Sequence, residues 1–193
     1  MEQEKQKTGE ELAAKIMEYA RDELIISMRF LDRALFRMPL VAADSVAAFG
    51  VDGATMYYNP EYVLHAFKRE KNACTRAFLH MILHCIFSHP FQYEKLDREC
   101  WDLATDLAVE QSILDLNLKC VELERDASLK RTLSHLAQKV PILTAEKIYR
   151  WLYENPEESA EFFREEPQFM WDDHLKWIPL KENEAGERRN DSI

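Results

Sequence analysis

Apolar residues recur at helical spacing along most of this chain and predict a series of amphipathic helices. The first opens with a capping box formed by Thr8 and Glu11 and should run from about residue 9 to Phe36, where Pro39 ends it. The same spacing, bounded by capping residues and prolines, predicts further helices over about residues 60–69, 72–89, 97–116, 126–140, 144–153 and 156–165.

Two short runs of β-prone residues, 46–49 and 55–58, interrupt this helical pattern. The link between them, Gly50-Val51-Asp52-Gly53, is rich in turn-forming residues, so a β-hairpin is expected over about 46–58. The chain has only 4 glycines and 7 prolines, and 31% of its residues are charged. This composition favours helices over an all-β architecture, which would need many tight turns. The predicted fold class is therefore α+β and mostly helical.

A length of 193 residues fits one ordinary hydrophobic core, so we predict a single domain over residues 1–180. Its core should span about residues 9–120, followed by a helical extension over about 126–180. Residues 181–193 are almost entirely polar and are predicted to form a disordered tail.

The formal net charge of −10 disfavours nucleic acid and anionic lipid as partners, because binding phosphate requires a concentrated basic face. No apolar run approaches the roughly 20 residues needed to span a bilayer. The 4 cysteines show no C-x-x-C spacing, and the first residues lack the features of a signal peptide. We therefore expect a cytoplasmic protein with no nucleic-acid or membrane partner and with cysteines packed as reduced core residues.

The segment His80-Met81-Ile82-Leu83-His84 reproduces the zinc-peptidase pattern H-E-x-x-H, with methionine in the place of glutamate. Residues four apart lie on the same face of a helix, so the imidazoles of His80 and His84 can converge on one metal ion. The glutamate of this pattern normally serves as the general base. Because the thioether of Met81 cannot take up a proton, the motif predicts a metal site more strongly than it predicts hydrolysis.

A further ligand is expected from the helix over about residues 97–116, which can pack antiparallel to the histidine helix. Asp102, Asp106 and Glu110 are spaced by four and share one face of it. We predict Asp106 as the ligand, with Asp102 or Glu110 as an outer carboxylate that orients a ligating imidazole. His89 competes for the ligand position if the helix ends before it. Glu110 is the candidate to replace the missing general base.

An alternative is a metal-free helical adaptor or protein-interaction domain, in which the histidine and carboxylate helices pair only with each other. The remaining histidines, His65, His135 and His174, are expected in surface or capping positions. Tyr57 and Tyr58, on the second predicted strand, are expected to pack rather than to act as catalytic phenols.

Three segments in this order resemble the putative metallopeptidase domain that precedes a von Willebrand A-like (VWA-like) domain in bacterial proteins. They run from Gly50 to Val63, from Phe78 to His89 and from Trp101 to Asp106, and the resemblance covers about residues 10–120. The later segment Asp172-Asp173-His174-Leu175-Lys176-Trp177 is similar to the connection that leads to the VWA-like domain in that family.

The resemblance implies a zincin-like α+β fold with a small sheet beside the histidine helix. It implies His80, His84 and Asp106 as metal ligands, with His89 matching a further histidine of the family. Zinc is the expected ion, and another divalent metal is compatible with these ligands. It also implies a VWA-like domain and a MoxR-type ATPase as partners, together with a peptide or protein substrate. Met81 departs from the glutamate of many members, so weak or absent hydrolysis is expected.

Overall fold

A computed structural model describes residues 2–92, 96–165, 171–172 and 174–177 of the chain. This part of the chain is mostly helical and contains a three-stranded sheet, which confirms the predicted fold class. The helices are α1 (Glu2–Ser27), α2 (Asp32–Arg37), α3 (Pro60–Arg69), α4 (Ala73–Ile86), α5 (Arg98–Leu116), α6 (Asp126–Lys139), α7 (Ala145–Glu154) and α8 (Pro156–Glu165). The strands are β1 (Leu40–Ala42), β2 (Phe49–Val51) and β3 (Met56–Tyr58).

The single helix predicted over residues 9–36 is wrong. Helix α1 ends at Ser27, Met28 leaves the helical region of backbone space, and a 3₁₀ turn over Arg29–Leu31 leads into α2. This bend places Met28 and Leu35 in the core and leaves Phe30 76% exposed. Neither glycine nor proline marks the break, so only tertiary burial distinguishes the two helices from one continuous helix.

The predicted hairpin exists, but its strands are shifted. Gly50 and Val51, expected in the turn, belong to β2, and the turn is held by Asp52, whose Oδ1 accepts hydrogen bonds from the N–H groups of Ala54 (2.9 Å) and Thr55 (2.7 Å). Strand β3 lies in the middle of the sheet, antiparallel to β2 and parallel to β1. The sequence analysis did not predict β1, which has three residues and acquires its pairing only from β3.

The caps expected before α3 and α5 are confirmed. Oδ1 of Asn59 accepts from the N–H groups of Glu61 and Tyr62, and Oδ1 of Asp97 accepts from that of Cys100. Asn72 behaves differently, because its amide donates to the carbonyls of Lys119 and Glu122 instead of accepting at the start of α4. The predicted end near residue 89 is also too late. Helix α4 ends at Ile86, and Ser88 has a left-handed backbone with φ of 63°.

Two hydrophobic clusters share α5. The first contains buried residues of α1, α3, α4 and the sheet, and the second contains those of α6, α7 and α8. Helix α5 contributes Val109 and Ile113 to the first cluster, and Leu103 and Leu107 to the second. Every residue of α4 from Ala73 to His84 is buried, so this helix is central to the fold.

Helices α6, α7 and α8 match their predicted ranges to within about a residue. The division into a core and an extension stays a prediction, and the predicted tail over 181–193 lies outside the described residues. No helix in the described ranges is both long and apolar enough to cross a membrane.

Replacing Gly53 by alanine should destabilise the protein by about 1–2 kcal/mol, because its φ of 89° is unfavourable for a side chain. A Cβ at this position would also lie 2.7 Å from Cζ of Phe91. Gly9→Ala is the matched control: in α1 its Cβ would meet Leu64 Cδ1 at 3.7 Å, and the helix should gain up to about 1 kcal/mol. Urea denaturation measures both, and equal effects would contradict the assigned turn.

Candidate metal centre

Helices α4 and α5 pack antiparallel and bring the predicted residues together. Arg76, near the start of α4, contacts Glu110 on α5, while His84, near the end of α4, contacts Asp106 one turn earlier on α5. His80 lies between them and contacts both carboxylates. All five side chains are buried, so their polar atoms must satisfy one another or bind an ion.

Four ligand-type atoms converge at this position. Nε2 of His80 and Nε2 of His84 each lie 3.2 Å from Oδ1 of Asp106 and 2.8 Å from one another. Oδ1 of Asp172 lies 3.5 Å from Nε2 of His80. One ligand atom from each of these four buried residues lies within 4.8 Å of every other.

Asp172 belongs to a C-terminal segment, described at residues 171–172 and 174–177, which the sequence analysis did not place at the site. Asp172 forms a parallel β-bridge with Phe49 on β2, at the edge of the sheet, and His174 begins a 3₁₀ turn that ends at Trp177. The expectation of a surface or capping position for His174 is wrong, because it is 6% exposed. Its Nε2 lies 3.2 Å from Oδ1 of Asp106 and 3.2 Å from Oδ1 of Asp172.

A sequence signal for this segment existed but was weak. Two aspartates and a histidine stand between Trp171 and Trp177, and a polar group enclosed by tryptophans is unusual in a surface link. No helical spacing connects them to His80 or His84, so their approach to the site depends on the path of the whole chain.

Each of the three imidazoles at the site has an outer partner at Nδ1. Glu110 Oε1 lies 2.8 Å from that of His80, Asp102 Oδ1 lies 3.1 Å from that of His174, and Nδ1 of His89 lies 3.0 Å from that of His84. A carboxylate only accepts, so Nδ1 of His80 and of His174 carries a proton, and Nε2 presents a lone pair inward when the ring is neutral.

Asp102 and Glu110 thus occupy positions that suit carboxylates orienting ligating imidazoles. His89 instead contacts His84 from the side opposite the ligand atoms.

The buried charges at the site fall into two groups. Beyond His80, Arg76 pairs with Glu110 and Asp126. Around the ligand atoms, Asp106 and Asp172 lie beside imidazoles, and the neighbouring carboxylates outweigh burial and hold the pKa of His80 and of His174 above the usual value. Without an ion, protonated rings therefore balance the two carboxylates. A divalent ion bound there would displace those protons and supply the same positive charge.

The pKa shifts report the same crowding of carboxylates. Burial lowers the pKa of His80, but Asp106 and Glu110 outweigh it and raise the value to about 9. Burial raises the pKa of Glu110, but the hydrogen bond from His80 and the charge of Arg76 bring it to about 2. His89 faces no carboxylate as closely, and burial lowers its pKa to about 3. His89 is therefore a neutral ring beside His84.

The arrangement fits a metal ion in two respects. Nitrogen and oxygen ligands of zinc, at about 2.0–2.2 Å from it, lie roughly 3.3 Å apart in a tetrahedral site, close to the separations between Asp106 Oδ1 and the two imidazoles of α4. Among the described residues, both carboxylate oxygens of Asp172 and Nε2 of His174 are buried without a well-aligned hydrogen bond. Such atoms call for a further partner, and a cation is the kind that all of them accept.

Aromatic rings enclose the centre. Trp177 stacks on His174 with ring centroids 3.9 Å apart and lies 4.9 Å from the ring of His84. Trp101 packs against His89 at 5.8 Å. A centre closed in this way is typical of structural metal sites, whereas catalytic sites keep one ligand position open.

The residues considered for catalysis do not supply a free base. Met81 is fully buried and belongs to the first hydrophobic cluster. Both oxygens of Glu110 are engaged, one by His80 and one by Arg76, on the side of His80 away from the ligand atoms. This position argues against Glu110 as a replacement for the glutamate of the zinc-peptidase pattern.

The remaining polar candidates lie outside the centre. His65 and His135 are exposed and contact the exposed Glu61 and Glu161. The hydroxyl of Tyr57 donates to Oδ2 of Asp52 at 2.8 Å, in the turn between β2 and β3.

Arg76→Met should destabilise the protein by about 3–5 kcal/mol, because it leaves the buried carboxylate of Glu110 without its guanidinium partner. The matched control is Lys139→Met, which removes an exposed pair with Glu158 at 2.7 Å and should change stability little. Chemical denaturation of the two variants provides the comparison. Similar losses would show that the buried pair does not support the site.

Comparisons with curated proteins and with solved structures give no match. A family model described as a putative metallopeptidase domain matches residues 14–190, a range that includes α4, α5 and the C-terminal segment with Asp172 and His174. This confirms the metallopeptidase-domain part of the resemblance and extends it well beyond residue 120. The chain belongs to the family of putative metallopeptidase domains.

Proposed function

We propose that this domain binds a divalent metal ion through His80, His84, Asp106 and Asp172, and that it hydrolyses peptides weakly or not at all. The observation that carries the proposal is the convergence of four buried ligand atoms within 4.8 Å of one another. The two neighbouring carboxylates that hold Nδ1 of His80 and His174 support it, because ligating imidazoles are commonly oriented in this way.

Zinc is the ion that we propose. Two imidazoles and two carboxylates form a nitrogen–oxygen set that suits zinc and other first-row divalent ions. When bound, zinc can crosslink the elements that hold it or act as a Lewis acid on a substrate carbonyl. In this domain the ligands come from α4, α5 and the C-terminal segment, so the ion would join three separate parts of the chain.

Weak hydrolysis follows from the missing base. We propose that the domain is zincin-like and that Met81 stands where related peptidases carry their catalytic glutamate. A positioned general base contributes roughly 10²–10⁴-fold to a rate, and the carboxylates around the centre are already held by imidazoles or by Arg76.

Family likeness supports a proposed setting for the domain. We propose a VWA-like domain as its neighbour in the assembly, a MoxR-type ATPase as partner, a peptide or protein as bound substrate, and a cytoplasmic location. The net charge of −10 agrees with a protein rather than a nucleic acid as the partner.

Purified wild-type protein should contain stoichiometric zinc by elemental analysis, and His80→Ala/His84→Ala should lose it, because half of the proposed ligands are removed. Chelation should lower the melting temperature of the wild type by roughly 5–10 °C, since an ion at 100 times its dissociation constant adds about 2.7 kcal/mol. His65→Ala/His135→Ala removes two exposed histidines and is the matched control.

Absence of metal from the wild type, even after zinc is added back, would contradict the proposal. A chelator response that persists in His80→Ala/His84→Ala would place the ion elsewhere. In the first case a metal-free helical adaptor, whose histidine and carboxylate helices only pair internally, becomes the better description.

Zinc-loaded Met81→Glu should hydrolyse a mixed peptide library faster than the wild type, because it restores the glutamate of the H-E-x-x-H pattern. Met81→Gln is the matched control, with the same shape but no basic carboxylate. The gain should stay below the roughly 10²–10⁴-fold that a positioned base contributes in an open site, because aromatic rings enclose this centre, and mass spectrometry of the products measures it. Equal activity in the two variants, or inactivity of both with zinc bound, would show that Met81 is not what limits hydrolysis.

A further inference from the structure

His174 reaches the centre in the same way as the histidines of α4. Its Nε2 lies 3.2 Å from Oδ1 of Asp106 and 3.2 Å from Oδ1 of Asp172. Its Nδ1 lies 3.1 Å from a carboxylate oxygen of Asp102, just as Nδ1 of His80 lies beside Glu110. The lone pair of the neutral ring therefore faces the two carboxylate ligands, from outside the group of four ligand atoms that lie within 4.8 Å of one another.

The segment that carries His174 is anchored on both sides of the centre. On one side Asp172 bridges to Phe49 of the edge strand, and Nζ of Lys176 lies 3.3 Å from Oγ of Ser45. On the other side Trp177 packs into the second hydrophobic cluster. The segment thus crosses the centre from the sheet to the α5 side.

Trp177 covers the centre at the point where the segment crosses it. Its ring stacks on His174 at an interplanar angle of 23° and is only 4% exposed. Because it also contacts His84, it lies over ligands from both the segment and α4. A solvent molecule or a peptide carbonyl reaching the centre from this side would have to displace the segment.

We propose that His174 is an additional ligand of the metal ion, and that together with Asp172 it makes the C-terminal segment a strap that closes the centre to outside ligands. This inference rests on the proposed metal site. The strap completes the ligand set and also keeps small anions and peptide carbonyls away from the ion.

Release of the strap would reduce the number of protein ligands at the centre. Without Asp172 and His174, the ligands that remain are His80, His84 and Asp106, two histidines and a carboxylate. Three protein ligands with an open position are typical of catalytic zinc sites, whereas a filled set is typical of structural ones. Docking of the strap therefore determines which of the two kinds of centre the domain presents.

Cobalt-substituted protein tests this directly, because the visible spectrum of cobalt reports its ligands without any enzymatic assay. We expect the spectrum of the wild type to be insensitive to azide. His174→Ala should retain cobalt through the other four residues, show a changed spectrum, and bind azide at least about tenfold more tightly. Free imidazole should restore the wild-type spectrum. His65→Ala, which removes an exposed histidine that contacts Glu61 on α3, is the matched control and should behave as the wild type.

The outcomes separate the two claims. Failure of the wild type to take up cobalt would overturn the proposed function and the strap with it. Cobalt uptake with the same spectrum and azide response in wild type and His174→Ala would overturn the strap alone. If His174→Ala does not fold, His174→Gln provides the test, since its amide keeps much of the volume of the ring but lacks the imidazole lone pair.

Discussion

The structure depends on burying two carboxylates beside three imidazoles, between two hydrophobic clusters. Asp106 and Asp172 are buried where water cannot solvate them, and the arginines nearby are already matched by Glu110 and Asp126. Their mutual repulsion must be offset by positive charge, either from protonated His80 and His174 or from a bound ion. The packing of α4 against α5 and the docking of the C-terminal segment are therefore tied to whatever supplies that charge.

Patterns among residues close together in sequence predicted much of the fold. The caps before α3 and α5 and the placing of His80, His84 and Asp106 on facing helices followed from spacing alone, because these features depend on residues close in sequence. The break at Met28 and the pairing of β1 did not, because both are decided by contacts with distant parts of the chain. For the same reason the sequence analysis did not place Asp172 and His174 at the site, although aspartate and histidine are common metal ligands.

The chemistry of the centre is limited by what its neighbours already hold. Each of the three imidazoles at the centre has an outer partner, and the nearby carboxylates orient these rings or balance charge. Such an arrangement favours tight, oriented binding over proton transfer, because a group locked into a hydrogen bond is a poor base. Met81 extends this tendency, since it adds apolar volume where the zinc-peptidase pattern has a carboxylate.

The long sequence separation between His84 and the strap has a consequence for folding. During synthesis, α4 and α5 leave the ribosome well before Asp172 and His174, so Asp106 is made long before the ligands that the C-terminal segment supplies. Contacts between residues far apart in sequence form late because the loop that joins them must first close. The ligand set therefore cannot be complete until the C-terminal segment has been made and has docked.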